Sequence, residues 1–362
     1  MDSAVASLVQ HIRAAGAQRM PLRIRGGGTK DFYGERLEGE LLDTSGLRGI
    51  VSYEPSELVV TVRAGPPLAA LEQVLAASGQ SLPFEPPHFG SGATVGGMVS
   101  AGLSGPARGS VGSVRDYVLG LQMIDGRGEE LVFGGQVMKN VAGYDVSRLL
   151  AGAMGTLGLI TEVSLKVLPV APAEATLRFR VDQQEALRRL NAWGGQPLPL
   201  NASRWLEEGG AGTLYLRLRG AVAAVEAACR SLGGDRLDNA EAAAHWNAAR
   251  EQALPWFSGL GEGDLWRVSG PQTAPVLDLP EPPLVEWHGA QRWVRTDAAG
   301  GVHVRQVALA AGGHATLFRT ARGDARARMT PLAPALATIH EQLKKQFDPA
   351  LVFNRGRLYP HF

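Results

Sequence analysis

Residues 86–116, PPHFGSGATVGGMVSAGLSGPARGSVGSVRD, are dense in Gly, Ser and Ala and nearly free of large side chains. A segment without bulk builds no core of its own, so it is either a flexible linker or bare backbone laid against something that is not protein. Linkers of this length are usually polar and patternless, whereas Ala93-Thr94-Val95-Gly96-Gly97-Met98-Val99 alternates small, β-branched and apolar residues, as a buried ligand-facing turn does. Glycine lets backbone N–H groups approach a flat or anionic group closely, at an entropic cost that a bound ligand offsets. The stretch therefore reads as a ligand cradle, with a disordered linker as the alternative.

At 362 residues the chain exceeds one ordinary core, which predicts two domains or one domain carrying a cap. A formal charge of +1, with no basic run, lacks the electrostatic footprint of a nucleic-acid binder. Cys229 is the single cysteine and sits in AVEAACRSL, an apolar helix pattern, so neither a disulfide framework nor a cysteine-clustered metal site is expected. The start, MDSAVASLVQHIRAAG, has helical apolar spacing and reads as a folded helix, not a signal peptide. With no apolar run long enough to cross a bilayer, the default location is cytoplasmic, or peripheral on the inner membrane face through partners. All seven Trp lie beyond residue 190, while Gly is heavy before 160, which suggests a ligand-cradling first half and a second half that packs on itself or on another chain.

Along the chain, a helix over residues 3–15 leads to the β-like alternation Leu22-Arg23-Ile24-Arg25, which stops at Gly26-Gly27-Gly28-Thr29-Lys30. Converging backbone N–H groups flanked by Arg25 and Lys30 suit an anion, although a plain glycine turn fits too. The run lacks the third glycine of GxGxxG, and no GxxxxGK[ST] occurs, so neither a Rossmann turn nor a P-loop is predicted. Strands follow at 40–43, 49–53 and 58–65, a helix at 68–78, and a hairpin over 118–133 turning at Asp125-Gly126-Arg127-Gly128. A second small-residue loop, Gly152-Ala153-Met154-Gly155-Thr156-Leu157-Gly158, passes into a strand at 160–168. From residue 175 a β-α-β-β-α order predicts a small ferredoxin-like cap with an antiparallel sheet. A closing helix is expected over 331–347.

RGGGTK, ATVGGMVSAGLSGPARGSVGSVRDYVLGL, KNVAGYDVSRLLAGAMGTLGLITEVSLKV and the terminal FDPALVFNRGR occur in that order. Together they resemble the vanillyl-alcohol-oxidase (p-cresol methylhydroxylase, PCMH) type of flavoprotein, over residues 20–168 and the C-terminus. Within that type the chain is most similar to the family of FAD-binding E subunits of bacterial glycolate oxidase (glycolate dehydrogenase) complexes. The resemblance implies an α+β fold: a two-subdomain FAD-binding domain over 1–170, a cap over 175–330, and a C-terminal helix and tail over 331–362 returning to the FAD domain.

It further implies that Gly26, Gly27, Gly28, Thr29 and the flanking Arg25 and Lys30 hold the FAD pyrophosphate. Thr94, Gly96, Gly97, Ser100, Ser104 and Gly105 would line the flavin and its ribityl chain. Gly155, Thr156, Gly158 and Ile160 would meet the adenosine half, and Asn354 would return beneath the flavin. Arg115 and Asp116 are expected to form an ion pair or orient a loop near the flavin, and Lys139 to balance flavin charge or lie at the surface. Relatives often carry Pro where this chain has Arg355, which leaves that turn open. Thr29 stands where relatives with a covalent flavin commonly carry His, so non-covalent FAD is expected. Relatives that oxidise 2-hydroxy acids unaided carry a metal-binding His pair; His303 and His314 show neither its spacing nor an acidic partner in the sequence, so no metal site is predicted.

Arg204-Trp205, Arg267 and Trp287-His288 could bind a carboxylate, but cap packing and partner contact is the preferred reading. Glu54, Glu57 and Glu85 are isolated, so no general acid or base is assigned. The expected function is that of an FAD-binding subunit of a multi-subunit glycolate (2-hydroxy acid) dehydrogenase, acting with a second flavin subunit and an iron–sulfur subunit. A self-sufficient FAD oxidase of an alcohol, sugar or D-2-hydroxy acid and a non-catalytic assembly subunit are the alternatives.

Overall fold

The computed structural model describes residues 3–135, 145–258, 261, 263–321 and 326–360. The chain divides into two units. The first comprises Met1–Leu103, Ser113–Pro169 and Pro331–Phe362, and the second comprises Ser104–Gly112 and Val170–Thr330. Ser104–Gly112, inside the glycine-rich stretch, groups with the second unit.

In the first unit the helix Ser3–Gln18 buries Val5, Val9, Ile12 and Ala15, a stripe at three- and four-residue spacing that turns one face to the core. Strand Leu22–Arg25 pairs in parallel with Glu40–Asp43. On its other side Leu22 bridges Phe353, so the C-terminal segment extends this small sheet. A separate antiparallel sheet has the order Ile50–Glu54, Val59–Arg63, Leu159–Lys166, Val118–Ile124, Glu130–Gly134. Its central strand Leu159–Lys166 is buried at every position but the last. That strand's polar Ser164 and Glu162 are buried with partners: the Ser164 and Thr61 hydroxyls lie 2.8 Å apart, and Glu162 Oε1 accepts from Gln122 Nε2 at 3.1 Å. The outer hairpin turns where Asp125 Oδ1 accepts from the N–H groups of Arg127 and Glu129 and Gly128 takes φ 73°.

The second unit carries one antiparallel sheet of eight strands, counted over the described residues. Asp235–Arg236, Ala173–Arg180, Ala211–Gly220 and Leu200–Glu208 come first, the 4-1-3-2 order of a ferredoxin-like sheet. The helices Gln183–Gly194 and Val222–Leu232 supply Leu187, Leu190 and Val225 to the core against Leu177, Leu214, Leu216 and Leu218. The expected small cap is thus present but does not stop there. Leu284–Glu286 pairs with Leu200–Glu208, and Gln291–Thr296, Asp264–Ser269 and His314–Thr320 carry the sheet on.

Candidate cofactor cleft

A cleft in the first unit is lined by Arg25, Gly26, Gly27, Gly28, Thr29, Lys30, Thr94, Gly96, Gly97, Ser100, Gly155, Ile160 and Asn354, drawn from four separated parts of the chain. Strand Leu22–Arg25 delivers the triple glycine to it. A Cβ on Gly27 would overlap the carbonyl of Gly92, and one on Gly26 would overlap the Thr94 hydroxyl. The two glycine loops are therefore pressed together by the protein itself. Beyond that contact, the N–H groups of Gly26, Gly27, Gly28 and Thr29 donate to no acceptor among the described residues. A row of undonated amides is chemically suited to an anion such as a pyrophosphate. The flanking cations are already engaged: Arg25 Nε donates to Asp31 at 2.8 Å, and Lys30 Nζ donates to the His88 carbonyl at 3.1 Å.

Opposite, Thr94 caps the helix Val95–Ala101, its Oγ1 accepting from Gly97 N at 3.2 Å. Gly96 is required by packing, since its N–H donates to Ala64 O at 2.7 Å and a Cβ there would lie 2.7 Å from Ala64 Cβ. Gly97 differs, because a Cβ there meets only the Thr94 hydroxyl, at 3.0 Å, and otherwise enters the cleft. Ser100 fixes the next loop through its carbonyl, which accepts from Met154 N at 2.8 Å. Met154 and Gly155 are left-handed, at φ 49° and 70°. Asn354 joins the two sides, with Oδ1 accepting from Ile24 N at 2.8 Å and Nδ2 donating to Met154 O at 2.6 Å. The Arg355 turn forms, its guanidinium donating to Leu351 O.

Six predicted residues lie outside this lining, each for a physical reason. Thr156 is 1% exposed and its hydroxyl donates to Ala153 O. Gly158 makes room for the Met123 methyl. Asp116 closes a capping box, Oδ2 accepting from both Ser113 N and Ser113 Oγ at 2.8 and 2.9 Å. Its burial would raise the carboxyl pKa, but the Ser113 hydrogen bonds outweigh that and hold it below the usual value. Arg115 is exposed on the same short helix. Ser104 and Gly105 belong to the second unit, where Gly105 O accepts from Trp287 Nε1 at 3.0 Å. Lys139 and the loop after it, to residue 144, lie outside the described residues.

Sequence reasoning missed Arg357, which is 6% exposed and lines the cleft. Its guanidinium donates to the carbonyls of Glu35, Lys30 and Asp31, fixing the segment that follows the triple glycine. The second arginine of NRGR was its only available signal.

In the second unit Arg204 is fully buried, its guanidinium 5.0 Å from the Tyr215 ring and 5.3 Å from Trp246, and burial lowers its pKa to about 10. Trp205 donates to Val181 O, and Arg267 lies over Phe318. Trp287, His288 and Gly289 are left-handed in succession, at φ 52°, 57° and 104°. His288 Nε2 lies 2.8 Å from Ser110 Oγ, and burial lowers its pKa to about 4. His303 does have an acidic neighbour, contrary to the sequence-based expectation: its Nε2 is 3.6 Å from Asp278 Oδ2. Among the described residues, however, no three His, Cys, Asp or Glu side chains converge as a metal requires, and no helix is long and apolar enough to cross a membrane.

Residues 3–134 match a family of FAD binding domains. The chain is 45% identical over 353 residues to glycolate oxidase subunit GlcE of Escherichia coli (strain K12), covering 98% of this chain and 97% of that protein. It is 35% identical over 163 residues to glycolate oxidase subunit GlcD of Bacillus subtilis (strain 168), covering 44% of this chain and 34% of that protein, so this second match spans about a third of the relative. Among solved structures, an alkyldihydroxyacetonephosphate synthase superposes with a TM-score of 0.65 over 96% of this chain and 74% of its own, at 14% identity, a likeness of fold alone.

Proposed function

We propose, for a chain that belongs to the family of glycolate oxidase subunit GlcE and is an FAD-dependent oxidoreductase acting on CH–OH groups, that it works as the FAD-binding subunit of a multi-subunit complex. In this reading the complex oxidises glycolate to glyoxylate and passes electrons to an iron–sulfur partner. The observation that carries the reading is the end-to-end similarity to a protein named as a glycolate oxidase subunit.

The cleft of the first unit supports non-covalent FAD. The undonated amides of Gly26, Gly27, Gly28 and Thr29 would hold the pyrophosphate, and the bare face of Gly97 would let a flat ring approach the backbone. Gly155, Ile160 and Asn354 would line the remainder. When bound, FAD supplies the two-electron acceptance that dehydrogenation of an alcohol carbon needs. The chain's own residues bind and orient it: Thr94 fixes the helix carrying Gly97, while Asn354 and Arg357 hold the two loops that meet there.

The test is purification from the native host with a flavin and iron count, and glycolate turnover with an artificial acceptor before and after the partners are removed. The expected result is flavin and iron together, with glycolate activity that is lost when this chain stands alone. Full turnover of glycolate or D-lactate by the isolated chain would contradict the reading in favour of a self-sufficient oxidase. A colourless chain that ignores added FAD would favour an assembly subunit.

A further inference from the structure

Lys344, on the helix Pro334–Phe347, is 1% exposed, and its ammonium donates to Thr156 O at 2.6 Å, Phe353 O at 2.7 Å and Asp348 Oδ2 at 2.8 Å. All three of its protons are used. Asp348, 0% exposed, also accepts from Val352 N through Oδ1 at 3.0 Å and from Phe353 N through Oδ2 at 2.8 Å. Desolvating such a pair is unfavourable unless every donor and acceptor is satisfied, and here they are. The two carbonyls it joins are adjacent in sequence to cleft residues. Thr156 follows Gly155 and Phe353 precedes Asn354, whose side chain in turn reaches Met154 O.

We propose that Lys344 is a positioning residue for the cofactor. From behind the cleft, it fixes the separation of loop 153–158 and residues 353–354, so that Gly155 and Asn354 present a preformed wall to FAD. This rests on the cleft being the FAD site. A merely structural ion pair would stabilise the fold equally with and without FAD. A positioning pair couples to binding, and that coupling is reciprocal.

Hydrogen exchange on the unmodified chain tests the coupling without any variant. Adding FAD should slow exchange of the Val352 and Phe353 amides, which donate to Asp348, about tenfold or more beyond the slowing of the amides of strand Val118–Ile124, whereas slowing no greater than that strand's would overturn the proposal. In parallel, Lys344→Met should weaken FAD binding about tenfold or more, seen as a smaller FAD-induced rise in Tm. The double variant Lys344→Met/Asp348→Asn removes both buried charges. It should regain much of the FAD-free Tm while its FAD affinity stays weak, because nothing then ties Thr156 O to Phe353 O. Recovery of wild-type affinity in the double variant would reduce the pair to a structural role. A cleft that does not hold FAD would announce itself separately, through a Gly97→Asp variant that keeps its flavin.

Discussion

A Cβ built on Gly27 overlaps the carbonyl oxygen of Gly92, whereas one built on Gly97 meets only the Thr94 hydroxyl at 3.0 Å. The sequence treats these glycines alike, as bare backbone offered to a ligand, but only one of them is free of its own protein. Gly27→Asp should therefore destabilise the fold by more than about 2 kcal/mol, read as a lowered urea midpoint without cofactor. Gly97→Asp should leave circular dichroism and the cofactor-free Tm near wild type while releasing FAD, because its carboxylate enters the cleft. Asp116→Ala removes a capping box and should cost about 1 kcal/mol. Since the Asp116 pKa is lowered in the folded state, that contribution is present above the ordinary carboxylate range and lost as pH falls through the lowered value. Comparing urea midpoints of wild type and variant at neutral and strongly acidic pH checks both size and direction. Arg357 and Lys344 were illegible in these roles because all the acceptors named for Arg357 and two of the three for Lys344 are backbone carbonyls, 327 and 188 residues away for Lys30 and Thr156. Any residue supplies a carbonyl, so such contacts leave no pattern in sequence.

Elements whose apolar runs carry the information were readable. Val59–Arg63 and Leu159–Lys166 are rich in Val, Leu and Ile, and each is buried at every position but its last in the first unit's main sheet, polar Thr61, Thr161, Glu162 and Ser164 included. The ferredoxin-like order of the second unit followed from β-α-β-β-α alone. Its continuation to eight strands did not, because the joining pair, Arg204 opposite Glu286, brings together strands far apart in sequence and separated by Pro-rich connections. The Trp287-His288-Gly289 corner was equally hidden, since non-glycine residues rarely adopt positive φ and no residue type announces them. It carries a pH consequence. His288 is held neutral by burial, with its pKa lowered to about 4, and His245 to about 3 by burial and then the nearby Arg204 charge. With folded pKa values below the unfolded one of about 6.5, the unfolded chain binds protons first as pH falls. Stability is then full above about pH 6.5 and declines towards pH 4, by up to about 1.4 kcal/mol per unit for each histidine. Urea midpoints at neutral pH and near pH 5 should show this decline, and His288→Gln should make it shallower. An identical decline in that variant would assign the effect to other groups.

At the scale of the molecule, one cofactor-binding unit is assembled from the beginning, middle and end of the chain, and the second unit takes Ser104–Gly112 from within the glycine-rich stretch. All four family stretches contribute residues to the lining of the cleft. The start of the third, Lys139 and the loop after it, lies outside the described residues. They could not tell which small residues serve a ligand and which serve packing, since Gly97 and Gly158 look the same until the neighbour of each is known. The visible absorbance spectrum of the purified chain, taken beside Gly97→Asp and followed by acid precipitation, tests the cofactor cleft most directly. Flavin bands are expected in the wild type, with release of the yellow colour into the acid supernatant, and a folded but colourless variant. A wild-type chain that stays colourless after incubation with FAD, or a Gly97→Asp variant as yellow as its parent, would contradict it.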